Sequence, residues 1–490
     1  MRIAAVDLGS NSFRLQLANV FGDQIYPRES FKEMVRLAEG VTTKGSNLNE
    51  HAQRRALACL RRFHGYLRGL PPESVRVVGT NTLRIAHNAP EFIKKAEKIL
   101  GYPIEILPGR EEARLIYIGV AHGLPPLTKN RLIVDIGGGS TELIVGSKFK
   151  PLKGESLNMG CVSYSEMFFP KGKIKRTFMQ EAEIAARTEL QSVLRIFRSI
   201  KWKESIGSSG TARALAAMLE LNRFSQSGIT SAGLLKLRKK FIAAGHYRRL
   251  KLLGLQEERA PVIAGGLAIM LALFKELKIR HLAISDHGLR EGVLYDMIGR
   301  FHHEDMRDAT AKHFMQRYHV DSSQAARVEK LAIKLFKQFS SETAKNEESK
   351  LHLLSWAAKL HEIGLSISYS AFHKHAAYII ENADMPGFSK KDQTNLATLI
   401  LSQRGSLTKI LSRIESEQDW LLFFALRIAV LVYRGRTDLK LPLWRLRYTQ
   451  KHFNLKIKDR WLKQNPLFDH LVQEEITKWQ AIGFRLTVRS

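Results

Sequence analysis

The 490-residue sequence predicts an α/β layered fold in two related halves, followed by an all-α region and a small β-rich unit. Three observations carry that prediction. Short apolar runs alternate with helical periodicity as far as residue 300, the pattern of helices layered on sheets. A strand, a glycine-rich turn and a second strand occur twice, from Ile3 to Leu17 and from Arg131 to Gly146. Beyond about residue 300 β runs become scarce, and Asp308 to Val432 reads almost wholly helical before a basic–apolar alternation returns near the C-terminus. The segments so defined are 1–120 and 121–300 for the two halves, 301–435 for the helical region and 436–490 for the last unit.

In the first half, residues 1–20 and 24–36 suggest a hairpin and an edge strand. Asn49 to Leu67 has helical spacing, with Arg54, Arg55, Arg61 and Arg62 outward. Ser74 to Val78 is a strand ending in a Gly79–Thr80 turn just before Arg84. A helix over Ala89 to Leu100 and a strand over Ile104 to Leu107 follow. Arg110-Glu111-Glu112-Ala113 then opens a helix running to about Val120. The second half continues through strands near Val145 and Leu157, a basic turn at Lys171 to Arg176 and a helix from Gln180 to Ser199. Ser205 to Gly210 is another strand-to-glycine turn leading into a helix. An apolar helix over Val262 to Leu277 and a strand over His281 to Ser285 lead to the turn Asp286 to Gly292. In the last unit, Trp444 to Tyr448, Leu455 to Ile457 and Phe484 to Val488 read as strands, with one helix among them.

Composition narrows the function. Hydrophobic residues at 44% and charged residues at 25% are ordinary for a globular chain. No uninterrupted apolar run approaches a membrane span, and the N-terminus enters a strand without a secretion leader. Two cysteines, Cys59 and Cys161, can build neither a disulfide framework nor a zinc site, so a reducing cytoplasm is expected. The net charge of +30 is the informative value, and it is not confined to one tail. Such a field draws polyanions, whether nucleic acid, anionic membrane or polyphosphate, and does not choose among them. Nucleic acid has the least support, since no recognition-helix, zinc or aromatic stacking motif accompanies the charge.

The glycine turns carry the chemistry. Asp7-Leu8-Gly9-Ser10-Asn11-Ser12-Phe13-Arg14 aligns without a gap on Asp135-Ile136-Gly137-Gly138-Gly139-Ser140-Thr141-Glu142. Glycines without Cβ can take φ > 0 and let amides close round a phosphate, while Ser140 and Thr141 add hydroxyl donors. Asp135 and Glu142 bracket their turn with carboxylates suited to Mg²⁺. One such turn would read as ordinary loop punctuation with a capping Asp; the repeat makes it a two-sided phosphate site. The spacing matches neither the P-loop nor a G-x-G-x-x-G helix opening. At the last matched position one copy has Arg14 and the other Glu142, a cation for phosphate against an anion for metal. Glu111 and Glu112, in the first turn of their helix, are either charges placed against the helix dipole or a general base for water. Arg84 is either a phosphate clamp or a surface arginine.

DLGSNSFRL, GTNTLR, GREEARLIYIGV, VDIGGGSTELIVG, SIGSSGTARA and SDHGLREGVLYDM together resemble the motif series of the bacterial exopolyphosphatase and guanosine pentaphosphate phosphatase family, in order from Val6 to Met297. AAKLHEIGLSISYSAFHKHAAYII and DMPGF extend the resemblance into that family's helical C-terminal region. It implies two ribonuclease-H-like halves of the actin and sugar kinase superfold, with the active site between them. It also implies Glu112 as the base, Asp135 and Glu142, with Asp7, as Mg²⁺ ligands, and K⁺ as an activator. Gly9, Ser10, Asn11, Ser12 and the turn Gly137 to Thr141 would cradle phosphates, with Arg84 pairing to phosphate oxygens. Arg14, Arg259 and the cluster Arg238, Lys239, Lys240 are candidate contacts for a longer polyanion, as are Lys171 to Arg176, Arg445, Arg447, Lys456 and Lys458. The turn Ser208 to Thr211 holds the superfold's adenosine-site position.

The helical region resembles a metal-dependent HD phosphohydrolase with its metal site lost. Glu362 rather than Asp follows His361, and Gln324 stands where the first histidine is expected. His361, His373 and His375 are then core or surface histidines. The expected activity is exopolyphosphatase, with hydrolysis of guanosine pentaphosphate by the same site as the alternative. The +30 charge tilts the expectation to the polymer. A non-catalytic phosphate sensor and a kinase running in reverse are the rivals of other classes. A homodimer is expected, with no membrane span and no specific nucleic-acid partner.

Overall fold

The computed structural model describes residues 1–490 other than 22–23, 41–46, 126, 128, 302–304, 343–346, 415, 417–418 and 490. The chain divides into two compact units, Met1–Asp305 and Met306–Ser490.

In the first unit, β1 (Arg2–Leu8), β2 (Phe13–Phe21) and β3 (Gln24–Glu33) form an antiparallel meander. α1 (Glu50–Leu67) follows, its first turn capped by Asn49 Oδ1, which accepts from the Ala52 amide at 2.9 Å. β4 (Val75–Gly79) adds parallel to β1. The segment after it is not a plain turn: with Thr80 extended, Asn81–Ile85 winds into a short helix, α2, and the Thr82 amide donates to Ser10 Oγ at 3.3 Å. α3 (Ala89–Leu100), β5 (Ile104–Ile106) and α4 (Gly109–His122) complete this half. The strand order is β3-β2-β1-β4-β5.

The second half repeats the plan. β6 (Arg131–Ile136), β7 (Thr141–Ser147) and β8 (Lys150–Leu157) are the meander, followed by α5 (Cys161–Phe168) and α6 (Arg176–Ser199). β9 (Glu204–Ser208), α7 (Ser209–Leu221), β10 (Ile229–Thr230) and α8 (Ser231–Ala244) come next. α9 (Ile263–Leu277), β11 (His281–Ile284) and α10 (Leu289–Phe301) end the unit. The order β10-β11-β9-β6-β7-β8 contains the first sheet's order, with the two-residue β10 added at the β11 edge.

Both sheets are covered on both faces, which is why β1 and β6 are buried almost throughout rather than alternating. Ala4, Val6 and Leu8 pack with Phe63 of α1 and Phe92 of α3, while Ile3 and Ala5 face Leu115 of α4 and Val293 of α10. Likewise Leu132, Val134 and Ile136 pack with Leu190 and Leu267, while Ile133 meets Ile116 and Tyr117 of α4. Each Val, Leu, Ile or Phe side chain among these, fully buried, contributes about 1.5–3 kcal/mol. The inner helices are exchanged: α4, from the first half, lies on the second sheet, and α10, from the second, lies on the first. They cross on glycines, because a Cβ on Gly119 would stand 2.0 Å from the Gly288 carbonyl oxygen and one on Gly292 1.8 Å from that of Leu115. That crossing brings the N-terminal ends of α4 and α10 to the mouth of both hairpins.

The second unit contains α11 (Met306–Arg317), α12 (Ser322–Phe336), α13 (Glu347–Leu360), α14 (Phe372–Asn382), α15 (Lys390–Ser402) and α16 (Asp419–Val432). Strands β12 (Arg445–Thr449), β13 (His452–Lys456) and β14 (Arg485–Arg489) form a three-stranded sheet. Residues 436–490 share one apolar core with these helices: the Phe424 ring of α16 stacks on Phe453 of β13 at 4.1 Å. Two helices, not one, join β13 to β14. Asp459–Gln464 (α17) and Pro466–Gln480 (α18) break at Asn465, which the following proline keeps out of helical geometry. No described helix is long and apolar enough to cross a membrane, and Cys59 and Cys161 are both buried and free.

Candidate active site

The two glycine turns meet at a cavity of about 130 Å³ in the first unit. Strand register supports the alignment read from sequence. Asp7 stands directly across its hairpin from Arg14, and Asp135 across from Glu142. All four line the cavity, together with Gly9, Ser10, Asn11 and Ser12 from the first turn and Gly137, Gly138 and Ser140 from the second. Gly139 and Thr141 do not. The Thr141 side chain is fully buried and its hydroxyl donates to the Met159 carbonyl at 2.5 Å, so it is not available to a phosphate.

The glycines serve a different purpose from the one expected. None of Gly9, Gly137, Gly138 and Gly139 has a positive φ. What they permit is close approach: a Cβ on Gly138 would lie 2.9 Å from Ser10 Cβ, and one on Gly139 2.3 Å from Asn81 Oδ1. The Gly137 and Gly138 carbonyls accept from the Cys161 and Val162 amides at 2.9 Å, anchoring the turn to the start of α5. The Gly138 amide, at the cavity wall, has no acceptor among the described residues, which leaves it as a donor for an anion.

Position on α4 separates Glu111 from Glu112. Glu111 turns into a buried network: Arg114 holds it at 2.7 and 2.8 Å and reaches Asp296, which Arg76 also pairs at 2.7 Å. Glu112 instead lines the cavity. Arg84 donates to Glu112 Oε2 at 3.2 Å and to the Leu107 carbonyl at 2.8 Å, and it does not line the cavity. The expected phosphate clamp is therefore the partner of the expected base.

Four carboxylates crowd one another here. Burial raises Asp7 to about 6, with Arg14 and Arg290 opposing. Burial likewise raises Asp135, which Ser208 partly offsets by hydrogen bonding. Burial pushes Glu112 and Glu142 up as well, and each feels its acidic neighbours, although Ser156 donates to Glu142 Oε1 at 2.8 Å. Asp7 Oδ1 and both amide atoms of Asn11 are buried without a partner. Among the described residues no three His, Cys, Asp or Glu side chains are gathered as a complete metal cage. Mg²⁺ asks for less, namely one or two carboxylates completed by water and phosphate oxygens. The orphaned Asp7 oxygen and the raised acids fit such a partly filled site.

Four arginines face these acids, and sequence reasoning named only two. Arg14 and Arg259 were expected; Arg213 of α7 and Arg290 of α10 also line the cavity. Burial and the neighbouring Arg290 lower Arg14 to about 10, and burial lowers Arg259. Arg259 lies against Gly210, where a Cβ would stand 1.6 Å from Nη2. The signal for Arg213 and Arg290 was present, since each follows a glycine turn in SSGTAR and DHGLR. Arg238 of α8 pairs with Glu183 of α6 at 2.5 Å, and Lys239 and Lys240 are exposed beside it; none of the three lines the cavity.

Comparison with known proteins agrees with this geometry. The Ppx/GppA phosphatase family model matches residues 21–301, and its domain III model matches residues 306–476. The guanosine-5'-triphosphate,3'-diphosphate pyrophosphatase of Pseudoalteromonas translucida is 36% identical, covering 99% of this chain and 98% of its own length. The protein of that name from Vibrio cholerae is also 36% identical, covering 99% and 97%. An exopolyphosphatase structure from Cytophaga hutchinsonii matches with a TM-score of 0.55 and 27% identity over 61% of this chain and 97% of that one. The Aquifex aeolicus member of the Ppx/GppA family gives 0.51 and 27% over 61% and 98%. Two full-length relatives and both family models lead to one conclusion: the chain belongs to the Ppx/GppA phosphatase family, actin-like in fold, and is a hydrolase of phosphoanhydride bonds.

Proposed function

We propose that the chain removes the terminal 5' phosphate of guanosine pentaphosphate by attack of water within the cleft. The observation that carries the reaction type is Glu112, buried at the cavity wall, held by Arg84 and flanked by the two hairpins. Its raised proton affinity suits a base working near neutral pH. Glu112 takes a proton from water as the water oxygen bonds to the terminal phosphorus. The bridging P–O bond breaks on the opposite side, and the shortened nucleotide leaves with that bond's electron pair.

The Gly138 amide and Arg14, Arg213, Arg259 and Arg290 bind and orient the phosphate oxygens. One or two of Asp7, Asp135 and Glu142 would hold Mg²⁺, with water and phosphate oxygens as its other ligands, and the ion when bound offsets charge on the phosphates. The choice of nucleotide over polymer rests on the two full-length relatives named for that nucleotide.

A second reading, terminal phosphate release from inorganic polyphosphate, is favoured by the +30 charge, since a single nucleotide needs no extended basic surface. Phosphate release from guanosine pentaphosphate and from long-chain polyphosphate, measured side by side, decides between them. The first reading expects the nucleotide to react faster; a faster polymer reaction reverses the assignment.

A further inference from the structure

The hairpin on the first-half side of the cleft continues by one more strand. Asp7 of β1 stands across from Arg14 of β2, and Arg14 in turn stands across from Lys32 of β3. Residues directly opposite in neighbouring strands share a face. Asp7 alternates with Ile3 and Ala5, so the row Asp7, Arg14, Lys32 lies on the side of the sheet that α4 and α10 cover. Ser30, two residues before Lys32, lies on that side too and accepts from Arg290 Nη1 of α10 at 2.8 Å. The matching row of the second sheet is Asp135, Glu142 and Ser156, where the outer residue donates to its neighbour. Lys32 stands beside another cation instead.

Arg14 and Arg290 line the cavity, and Lys32 does not. Its side chain is 34% exposed, just beyond the wall, where the charges of Arg14 and Arg259 reach it. Among the described residues its one carboxylate partner is Glu258, from the turn before α9 in the second half. That pair is loose, at 3.6 Å, against about 2.7–2.9 Å for a well-formed charged hydrogen bond. Burial and the two arginines lower the proton affinity of Lys32, with Glu258 opposing them. The rim of the cleft thus holds a lysine among arginines, with an exposed glutamate as the anion beside it.

The size of the cavity says what would arrive there. At about 130 Å³ it is well below the roughly 300–1,000 Å³ of pockets that enclose a whole small molecule. It suits the reacting end of a phosphate chain, and the rest of a longer substrate must continue past the rim.

We propose that Lys32 is a further substrate-binding residue, taking a phosphate group beyond the two that flank the breaking bond and exchanging Glu258 for it. The proposal rests on the hydrolysis assigned to the cleft. The phosphate is either the 3' diphosphate of guanosine pentaphosphate or an inner group of inorganic polyphosphate. Steady-state phosphate release by the full chain from each, with inorganic pyrophosphate as competitor, tests it. Lys32→Gln should raise KM for the longer substrate about tenfold, the size expected of one charged hydrogen bond, with kcat within about twofold. The inhibition constant of pyrophosphate, which has only the two flanking groups, should not move. Lys32→Arg should restore most of the affinity. Glu258→Gln should shift the longer substrate's KM the other way, down by about two- to fivefold, because the lysine loses its competitor.

A shift on the nucleotide places its 3' diphosphate at Lys32, and a shift on the polymer places an inner phosphate there. A mere tie between the halves predicts that Lys32→Gln and Glu258→Gln act alike and weaken pyrophosphate as well. That result, or a KM unmoved by Lys32→Gln on both longer substrates, overturns the proposal. A polymer that reacts faster than the nucleotide changes the reading of the cleft's substrate, and the Lys32 comparison is then read on the polymer.

Discussion

The two hairpins of the cleft share a register and differ in charge. On β1–β2 the acid faces a base, Asp7 across from Arg14; on β6–β7 two acids face each other, Asp135 across from Glu142. The first pair offsets itself in part, since Arg14 and Arg290 oppose the burial that raises Asp7. In the second, Glu142 is raised by burial and further by Glu112 and Asp135. One duplicated scaffold thus presents a side suited to phosphate oxygens and a side suited to a cation. Neither presents a water-activating base; that comes from α4, which the chain order assigns to the first half and the packing to the second sheet.

The comparison can be broken at its base first. Glu112→Gln should lower phosphate release about 10²–10⁴-fold with nucleotide binding retained. Glu111→Gln, one residue away, should instead lower stability by about 1–3 kcal/mol, because buried Arg114 keeps Asp296 but loses its other carboxylate, read as a fall in thermal midpoint. Next comes the charge on Asp7. Its carboxyl is raised from 3.8 to about 6 on folding, so the ionised form is disfavoured in the folded chain. Stability from this group is full below pH 3.8 and lost as pH rises through about 6. Asp7→Asn should therefore stabilise the metal-free chain by up to about 3 kcal/mol at pH 7.5 and by much less at pH 4.5, read by denaturation at both values.

The contrast between the matched positions is sharpened by neutralising each. Arg14→Gln should raise the substrate KM about 10–100-fold, while Glu142→Gln should raise the Mg²⁺ concentration needed for half-maximal rate by a similar factor. If both variants moved the same parameter, the division between the two sides would be wrong. The smallest effect is expected from Gly210→Ala. Its new Cβ displaces the Arg259 guanidinium, so KM should rise severalfold while the thermal midpoint changes little.

Local pattern was enough for most elements, because periodicity and caps act over a few residues. Ala89–Leu100 and the β1–β2 and β6–β7 hairpins fall where the sequence places them, and the gapless alignment of the two turns survives as cross-strand register. Glu112, Asp135, Glu142 and Arg259 were legible as site residues by motif, and the cavity collects all four.

What only the folded chain decided depends on residues far apart in sequence. Arg84 became the partner of Glu112 because β4 and α4 end side by side, and Glu111 became structural because Asp296, 185 positions later by number, reaches Arg114. Thr141 lost its expected role to a carbonyl 18 residues on. Arg213 and Arg290 joined the site when the exchange of α4 and α10 closed the two halves over one cavity. The glycines could be read as necessary from their number, but whether they supply an unusual φ or room for a neighbour is a matter of what lies opposite. Here Ser10 and Asn81 lie opposite, and the reason is space.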